Sequence, residues 1–319
     1  MTATPRELTH GLSESTQKEA WLLGQPPLRK FLDFVEETAI GGDRVKQSLL
    51  VDQWRIANDL YYELEKSEGG IAQTVDIREL DASLATLAED VRRDSRFRRA
   101  YEIVPTRFAM VELDKLVVSQ QHVNLTHAES ARAKLGSAPS VEDLFRACLP
   151  LGQSGPEVRM RKTGAKRYVM WSPSSDIRFH EAASLTAGQI SDYESFGPIG
   201  AVLGLVVGFG SNFLNAIESD NRLVLNNGHH RAYALRDLGL THAPCLIQTV
   251  TRVDELGVAA SGDICDMASF YFKSPRPPLL KDFFDPRLRM VLTIPKLVRM
   301  IELSFEVRDF EVKDFAEAG

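Results

Sequence analysis

The spacing of apolar positions separates helical from extended stretches along this chain. After Pro26-Pro27, the residues Leu28, Phe31, Leu32, Phe34 and Val35 recur at helical intervals and predict a helix ending at Gly41-Gly42. Asp43 stands where it can cap a second helix. Its apolar set is Val45, Leu49, Leu50, Trp54, Ile56, Ala57, Leu60, Tyr61 and Leu64, and it runs to about Lys66 before Gly69-Gly70. A third helix covers Ala82 to Arg93, and residues 1 to about 20 read as irregular. Residues 25–100 therefore read as a helical layer for packing or dimerisation, which leaves a homo-oligomer open.

Near Phe108 the pattern turns to short β-rich runs, Phe108 to Leu113 and Leu116 to Ser119. A helix over Val141 to Cys148 is announced by Ser140 with Asp143. Val158–Arg161 and Arg167–Trp171 flank Lys162-Thr163-Gly164-Ala165 as a hairpin, and Asp176–His180 reads as extended. The longest apolar stretch, Ile199 to Phe209, is broken by glycines and suits a buried strand at Val202–Phe209. Phe213–Ile217 and Arg222–Leu225 form a second hairpin across Ser219-Asp220-Asn221. A helix then spans His229 to Leu238, stops at Gly239, and is followed by a strand over Ala243–Val250 with Pro244 at its edge. Pro275, Pro277 and Pro278 make a rigid connector. Val291 to Phe310 alternates as a strand, with Ile301, Leu303, Phe305 and Val307 on one face.

Composition narrows the class. The chain has 319 residues, 44% hydrophobic and 26% charged, as an ordinary globular protein does. It shows no apolar run of membrane-spanning length and no secretory leader, so a cytoplasmic address without membrane contact is expected. Cys148, Cys245 and Cys265 lack metal-ligand spacing and read as buried free thiols. A net charge of −6 argues against a general nucleic-acid binder. Two basic clusters, Arg92-Arg93 with Arg96, Arg98 and Arg99, and Arg159, Arg161, Lys162, Lys166 and Arg167, read as solvated faces.

Chemistry concentrates in Val224 to Arg236, which reads as strand, polar turn and helix. Helix N-termini present free N–H groups to anions. Gly228 allows close approach or positive φ, Arg231 offers a planar cationic fork, and His229 and His230 offer proton donors or acceptors near neutral pH. His122, Asn124, His127 and Glu129 form either a second wall of that site or an ordinary polar loop with a Thr126–Glu129 capping box. Gly208, Gly210, Ser211 and Asn212 are a substrate-side loop or a plain turn. A zinc site would need His122 or His127 as a third ligand. Tyr233, Trp21, Trp54 and Trp171 read as packing residues, and His180 and Glu181 as solvent-facing.

The strand–Asn227-Gly228-His229-His230-Arg231–helix unit resembles the ParB/sulfiredoxin-like superfamily, over about residues 105–250. The wording is closest to the Asp-Gly-His-His-Arg of its free-serine kinases. The resemblance implies an α+β protein: a helical N-terminal region (1–100), a ParB/sulfiredoxin-like mixed α/β domain (101–260) and a β-containing C-terminal extension (261–319). It also implies nucleotide phosphates at the turn, since ParB proteins bind and hydrolyse CTP there and the sulfiredoxins and serine kinases use adenine nucleotides. Gly228 and the backbone at His229 would then cradle phosphate, and His230 and Arg231 would meet the terminal phosphates. Asn227 and His122 would complete the binding set. No cysteine stands between Gly228 and Arg231, which removes sulfiredoxin-type repair. The upstream box, where the kinases keep a catalytic carboxylate, offers Glu112, Asp114, His122, His127 and Glu129, and Arg132 is the nearest match to the upstream arginine of ParB.

The expectation is a phosphotransferase or nucleotide hydrolase using ATP or CTP with Mg²⁺ and a small-molecule acceptor. Glu129, His127 and His230 are its candidate catalytic residues. The alternative is a non-catalytic nucleotide-responsive or DNA-associated module. A nuclease ranks third, because only Glu218 and Asp220 stand close before the turn.

Overall fold

Pairing between distant strands, rather than local helical packing, organises this chain. The structure is a computed structural model that describes residues 15–25, 27–152, 155–174, 176–190, 194, 196–260 and 262–311. Pro26 of the Pro-Pro pair and residues 1–14 lie outside the described residues. The first half runs β1 (Thr16–Leu22), α1 (Leu28–Thr38), α2 (Gln47–Glu68), β2 (Ile77–Arg78), α3 (Ala85–Arg93), α4 (Ser95–Tyr101), β3 (Thr106–Glu112), β4 (Val117–Val118), β5 (His122–Asn124), α5 (Leu125–Leu135) and α6 (Val141–Cys148). There follow β6 (Arg159–Gly164), β7 (Arg167–Ser172), β8 (Ile177–Leu185), β9 (Val202–Phe209), β10 (Asn215–Ser219), β11 (Arg222–Asn227), α7 (His229–Asp237) and β12 (His242–Thr249). The chain continues through α8 (Val253–Ala259), α9 (Asp263–Asp266), α10 (Ala268–Lys273), β13 (Arg289–Pro295) and β14 (Arg299–Ser304). The class is α+β.

Two compact units divide the chain, one built from Glu14–Gln153 with Ser211–Lys296, the other from the described parts of Ser154–Gly210 and Leu297–Gly319. The divisions expected near residues 100 and 260 are not where contacts separate. The reason is β1, which pairs antiparallel with β13 from Thr16↔Pro295 to Leu22↔Arg289 and with β5 from Glu19↔Asn124 to Trp21↔His122. That strand lies in the stretch read as irregular. Its partners sit far along the chain, and Lys18 and Glu19 interrupt its apolar run.

The larger unit is built on a six-stranded sheet, ordered β2-β3-β12-β10-β11-β4. β12 runs parallel to β10 and antiparallel to β3, while β11 is antiparallel to β10 and parallel to β4. Both faces are covered, so its central strands carry consecutive apolar residues, Ala216-Ile217, Leu223-Val224-Leu225 and Cys245-Leu246-Ile247. Ala216, Leu223 and Leu225 pack with Phe145, Cys148, Ala232 and Leu235 on one side. Ile217 and Val224 pack with Leu256, Tyr271, Phe272 and Leu279 on the other. Pro244 costs no ladder bond to β10, because β10 joins β12 only from Leu246 onward. A third cluster places Trp21 and Leu23 of the β1 segment against Phe31, Leu32 and Val35 of α1 and Ala57 and Tyr61 of α2. α1 and α6 fall where periodicity put them, and the Ser140–Asp143 capping box is present. Asp43 caps nothing: it lies in a short 3₁₀ turn, and α2 begins at Gln47 without a side-chain cap.

The smaller unit contains a three-stranded sheet, β14-β7-β6, and a two-stranded ribbon, β8-β9. The buried strand expected at Val202–Phe209 is an exposed one: Leu203 is 69% exposed. A ribbon of two strands leaves both faces uncovered, whatever the strand's hydrophobicity. The single strand expected over Val291–Phe310 is two strands in different units, and Phe305 and Val307 are exposed. Cys148 and Cys245 are buried free thiols and Cys265 is half-buried. In the first basic cluster Arg93 pairs with Glu89 and Arg96 with Asp94. In the second, Arg159, Arg161, Lys162 and Lys166 are exposed on β6 and its turn. No helix among the described residues is long and apolar enough to cross a membrane.

Candidate functional site

The β10–β11 hairpin turns at Asp220 and Asn221, both with positive φ as a primed two-residue turn demands. Where β11 meets β10 again, the register slips between Asn215 and Ala216, so that Asn226 is the extra residue of a bulge. Bulges re-aim side chains. Asn226 donates to Asn215 Oδ1 at 2.7 Å, and the buried Asn215 donates in turn to Gln248 Oε1 at 3.0 Å. Asn227 donates to the Ser211 carbonyl at 3.0 Å.

Gly228 follows in the left-handed region, with φ +93°. A Cβ there would lie 2.7 Å from Leu214 Cδ1, so glycine is required both by conformation and by space. α7 begins at the next residue, and no side chain caps it. Its first internal hydrogen bond is Ala232 N–H to the Gly228 carbonyl at 2.8 Å, which leaves the N–H groups of His229, His230 and Arg231 ahead of the ladder.

These three residues serve different surroundings. His229 is buried and its Nε2 accepts from the backbone N–H of Gln120 at 3.3 Å, which places the proton of the neutral ring on Nδ1. Burial lowers its pKa to about 3, helped by His230 and His122. Burial likewise lowers His230 to about 3, helped by His127 and His122, and the His127 ring meets it edge-on at 5.3 Å. Both histidines are therefore neutral at neutral pH, and the expectation of groups poised to titrate there fails for them. Arg231 turns to the scaffold: Nη1 donates to the carbonyls of Cys148 and Asn212 at 3.0 Å each, and Nη2 donates to Asn212 Oδ1 at 2.6 Å. It has no carboxylate partner among the described residues.

A cavity of about 240 Å³ opens beside this turn, lined by Ser119, Gln120, His122, Asn226, His229, Lys30 and Asp263, among others. Lys30 Nζ meets Asp263 Oδ2 at 2.7 Å on its wall. A second cavity of about 460 Å³ shares Lys30 and His122 and adds Trp21, Asp33, Phe34 and Glu37. His122 joins the two: its ring stacks on Trp21 at 4.9 Å, and its Nδ1 is hydrogen-bonded to the buried carboxylate of Glu19.

No protein family, curated protein or solved structure matches the chain.

Of the residues singled out from sequence, His229 and His122 line the first cavity, Gly228 precedes it, Asn227 gives way there to its neighbour Asn226, and His127 and His230 meet on the other flank of α7. Glu129 is exposed on α5 and makes no hydrogen bond or ion pair among the described residues. Asn124 caps α5 by accepting from His127 N–H at 2.8 Å, in place of the expected Thr126–Glu129 box. Glu112 accepts from Asp76 N–H and Asp114 pairs with Arg236, so both serve the scaffold. Arg132 pairs with Asp237. Tyr233 is packed against Phe284, as expected. Ser211 and Asn212 hold the turn, through Asn227 and Arg231 respectively. Sequence reasoning missed Glu19, Lys30, Gln120 and Asp263. Glu19 alone left a signal, as a charged residue beside Ala20, Trp21, Leu22 and Leu23. No group of three or more His, Cys, Asp or Glu among the described residues could hold a metal ion, so the zinc arrangement does not form there.

Proposed function

We propose that the chain is a ParB/sulfiredoxin-like nucleotide-binding protein whose phosphate seat is the cavity beside the first turn of α7. The observation that carries this reading is the combination of an uncapped helix N-terminus behind a left-handed glycine and a lysine on the same cavity wall. Free N–H groups and the helix dipole favour a phosphate oxygen there, and Lys30 adds a formal charge. Exchanging Asp263 for phosphate would free that lysine for the ligand. Gln120 on the same wall donates one amide hydrogen to the His122 carbonyl and keeps the other for a ligand. Arg231, in this reading, fixes the loop at Asn212 rather than touching phosphate.

The reaction is transfer or hydrolysis of the terminal phosphoryl group of ATP or CTP, a chemistry that rests mostly on position and charge. In this reading Mg²⁺ would arrive on the nucleotide phosphates and keep most of its waters, since no side chains among the described residues form a metal cage. The test is a thermal-shift series with ATP, CTP, GTP and their diphosphates, with MgCl₂, together with phosphate release. A ligand at about one hundred times its Kd adds about 2.7 kcal/mol to stability. At least one triphosphate should raise Tm by several degrees, and Lys30→Ala should lose about half of that rise. A flat response to all six overturns the reading.

A further inference from the structure

The two cavities meet at one side chain whose chemistry the phosphate seat does not use. His122 lines both, and its Nδ1 is held by the Glu19 carboxylate. Glu19 is 4% exposed, on a strand fixed from both sides by β13 and β5. The His122 ring is further fixed by stacking on Trp21 at 4.9 Å and Phe34 at 6.0 Å. Nε2 has no hydrogen-bond partner among the described residues. A neutral imidazole whose Nδ1–H is held by a buried carboxylate has its other nitrogen free to accept a proton.

We infer that His122, oriented by Glu19, is the general base for a small alcohol seated in the 460 Å³ cavity over α1, opposite the nucleotide phosphates in the 240 Å³ cavity. This inference rests on the phosphate reading of the turn. The acceptor hydroxyl gives its proton to His122 Nε2 while its oxygen bonds to the terminal phosphorus of the nucleotide. The bond from that phosphorus to the bridging oxygen breaks, and the electron pair leaves on the nucleoside diphosphate. The imidazolium, balanced by the Glu19 carboxylate, then releases its proton to solvent.

Charge on the walls narrows the acceptor. Lys30 is paired with Asp263, and Asp33 with Arg29 at 2.8 Å. Glu37 has no ion pair or hydrogen bond among the described residues, so the acceptor seat carries an uncompensated negative charge. An uncharged or cationic alcohol fits such a seat, and an anionic one is repelled. Phe34 and the edge of Trp21 supply an apolar floor for its carbon skeleton.

The experiment measures diphosphate release by the full chain from the triphosphate that gives the largest thermal shift, with glycerol, ethanolamine or glycerate as probe acceptor. Glycerol or ethanolamine should raise the rate above that in water alone, and glycerate should not. His122→Gln should lower acceptor-dependent turnover about 100-fold or more, the usual range for a lost general base, measured at saturating triphosphate so that any change in nucleotide affinity from this cavity-lining side chain does not enter. Glu19→Gln should lower kcat and leave the acceptor KM in place, and Glu19→Asp should restore part of kcat. Glu37→Gln should raise the KM for ethanolamine more than that for glycerol. Turnover by His122→Gln at the wild-type rate overturns the base assignment, and so does a nucleotide-bound wild-type chain that none of the three probes accelerates. Preference for glycerate overturns the acceptor class. A wild-type chain that binds no triphosphate overturns this inference together with the reading beneath it, which separates the two failures.

Discussion

The two flanks of α7's first turn differ more than their adjacent sequence positions suggest. On one flank His229 faces a polar cavity with Lys30 and His122. On the other, two residues later, Arg231 points at backbone carbonyls and at Asn212. An arginine in a glycine turn invites assignment to phosphate because of its charge. Here it donates twice to Asn212, in the loop packed against the turn, and once to the Cys148 carbonyl at the end of α6. The lesson is that the scaffold-bound residue and the cavity-facing residue share a motif, and only three-dimensional partners tell them apart.

Gly228, at the root of both flanks, should show the largest effect when changed. Gly228→Val places a β-branched residue at φ +93° and drives its Cβ toward Leu214. Left-handed strain and overpacking together should cost about 3 kcal/mol or more, read as a fall in the urea midpoint. Both flanks should fail together, with no nucleotide shift in the folded fraction. Arg231→Ala should separate them. It orphans the Asn212 carbonyl, whereas the Cys148 carbonyl keeps its bond from Leu214 N–H. The expected loss is about 2–3 kcal/mol, with nucleotide affinity at 15 °C within a few-fold of wild type. A variant of normal stability that binds no nucleotide would reverse the roles given to the two flanks.

Acid provides a third separation. Burial holds His229 and His230 at about 3, well below the ordinary histidine range. The unfolded chain therefore binds more protons than the folded one between about pH 6.5 and pH 3. Stability from these neutral rings is fully present above that window and falls as pH drops through it. From pH 7 to 5.5 the loss from the two rings together should be about 2–3 kcal/mol, and His229→Asn should roughly halve the slope if the variant stays folded. An unchanged urea midpoint across that range would contradict the burial of both rings. The smallest stability effect belongs to Lys30→Ala. Its pairing with Asp263 is half-exposed, and such pairs contribute under about 1 kcal/mol. Its large effect should be on nucleotide affinity, about tenfold.

How much of this was legible beforehand follows from where each interaction closes. α1, α6, α7 and the β10–β11 hairpin are settled within a few turns of chain by apolar period, caps and glycines, and the sequence shows them. The glycine turn was legible for the same reason. The walls of its cavity were not. Glu19 and His122 are 103 residues apart, and Lys30 and Asp263 are 233 apart. No local pattern links such pairs. β9 failed in the opposite sense: its local pattern is strong, but burial depends on what covers a strand, and here one neighbour pairs with it.

The closure of β1 on β13 has a consequence in time. Gln17 faces Ile294, and on the same strand Glu19 faces Leu292. Contacts of such long sequence separation form late, after the local hairpins and helices are in place. During synthesis the glycine turn and α7 can fold well before β13 leaves the ribosome, whereas the strand that carries Glu19 waits for nearly three hundred residues to be made. The wall that holds Glu19 against His122 thus pairs early with β5 but gains its second neighbour only once β13 is made.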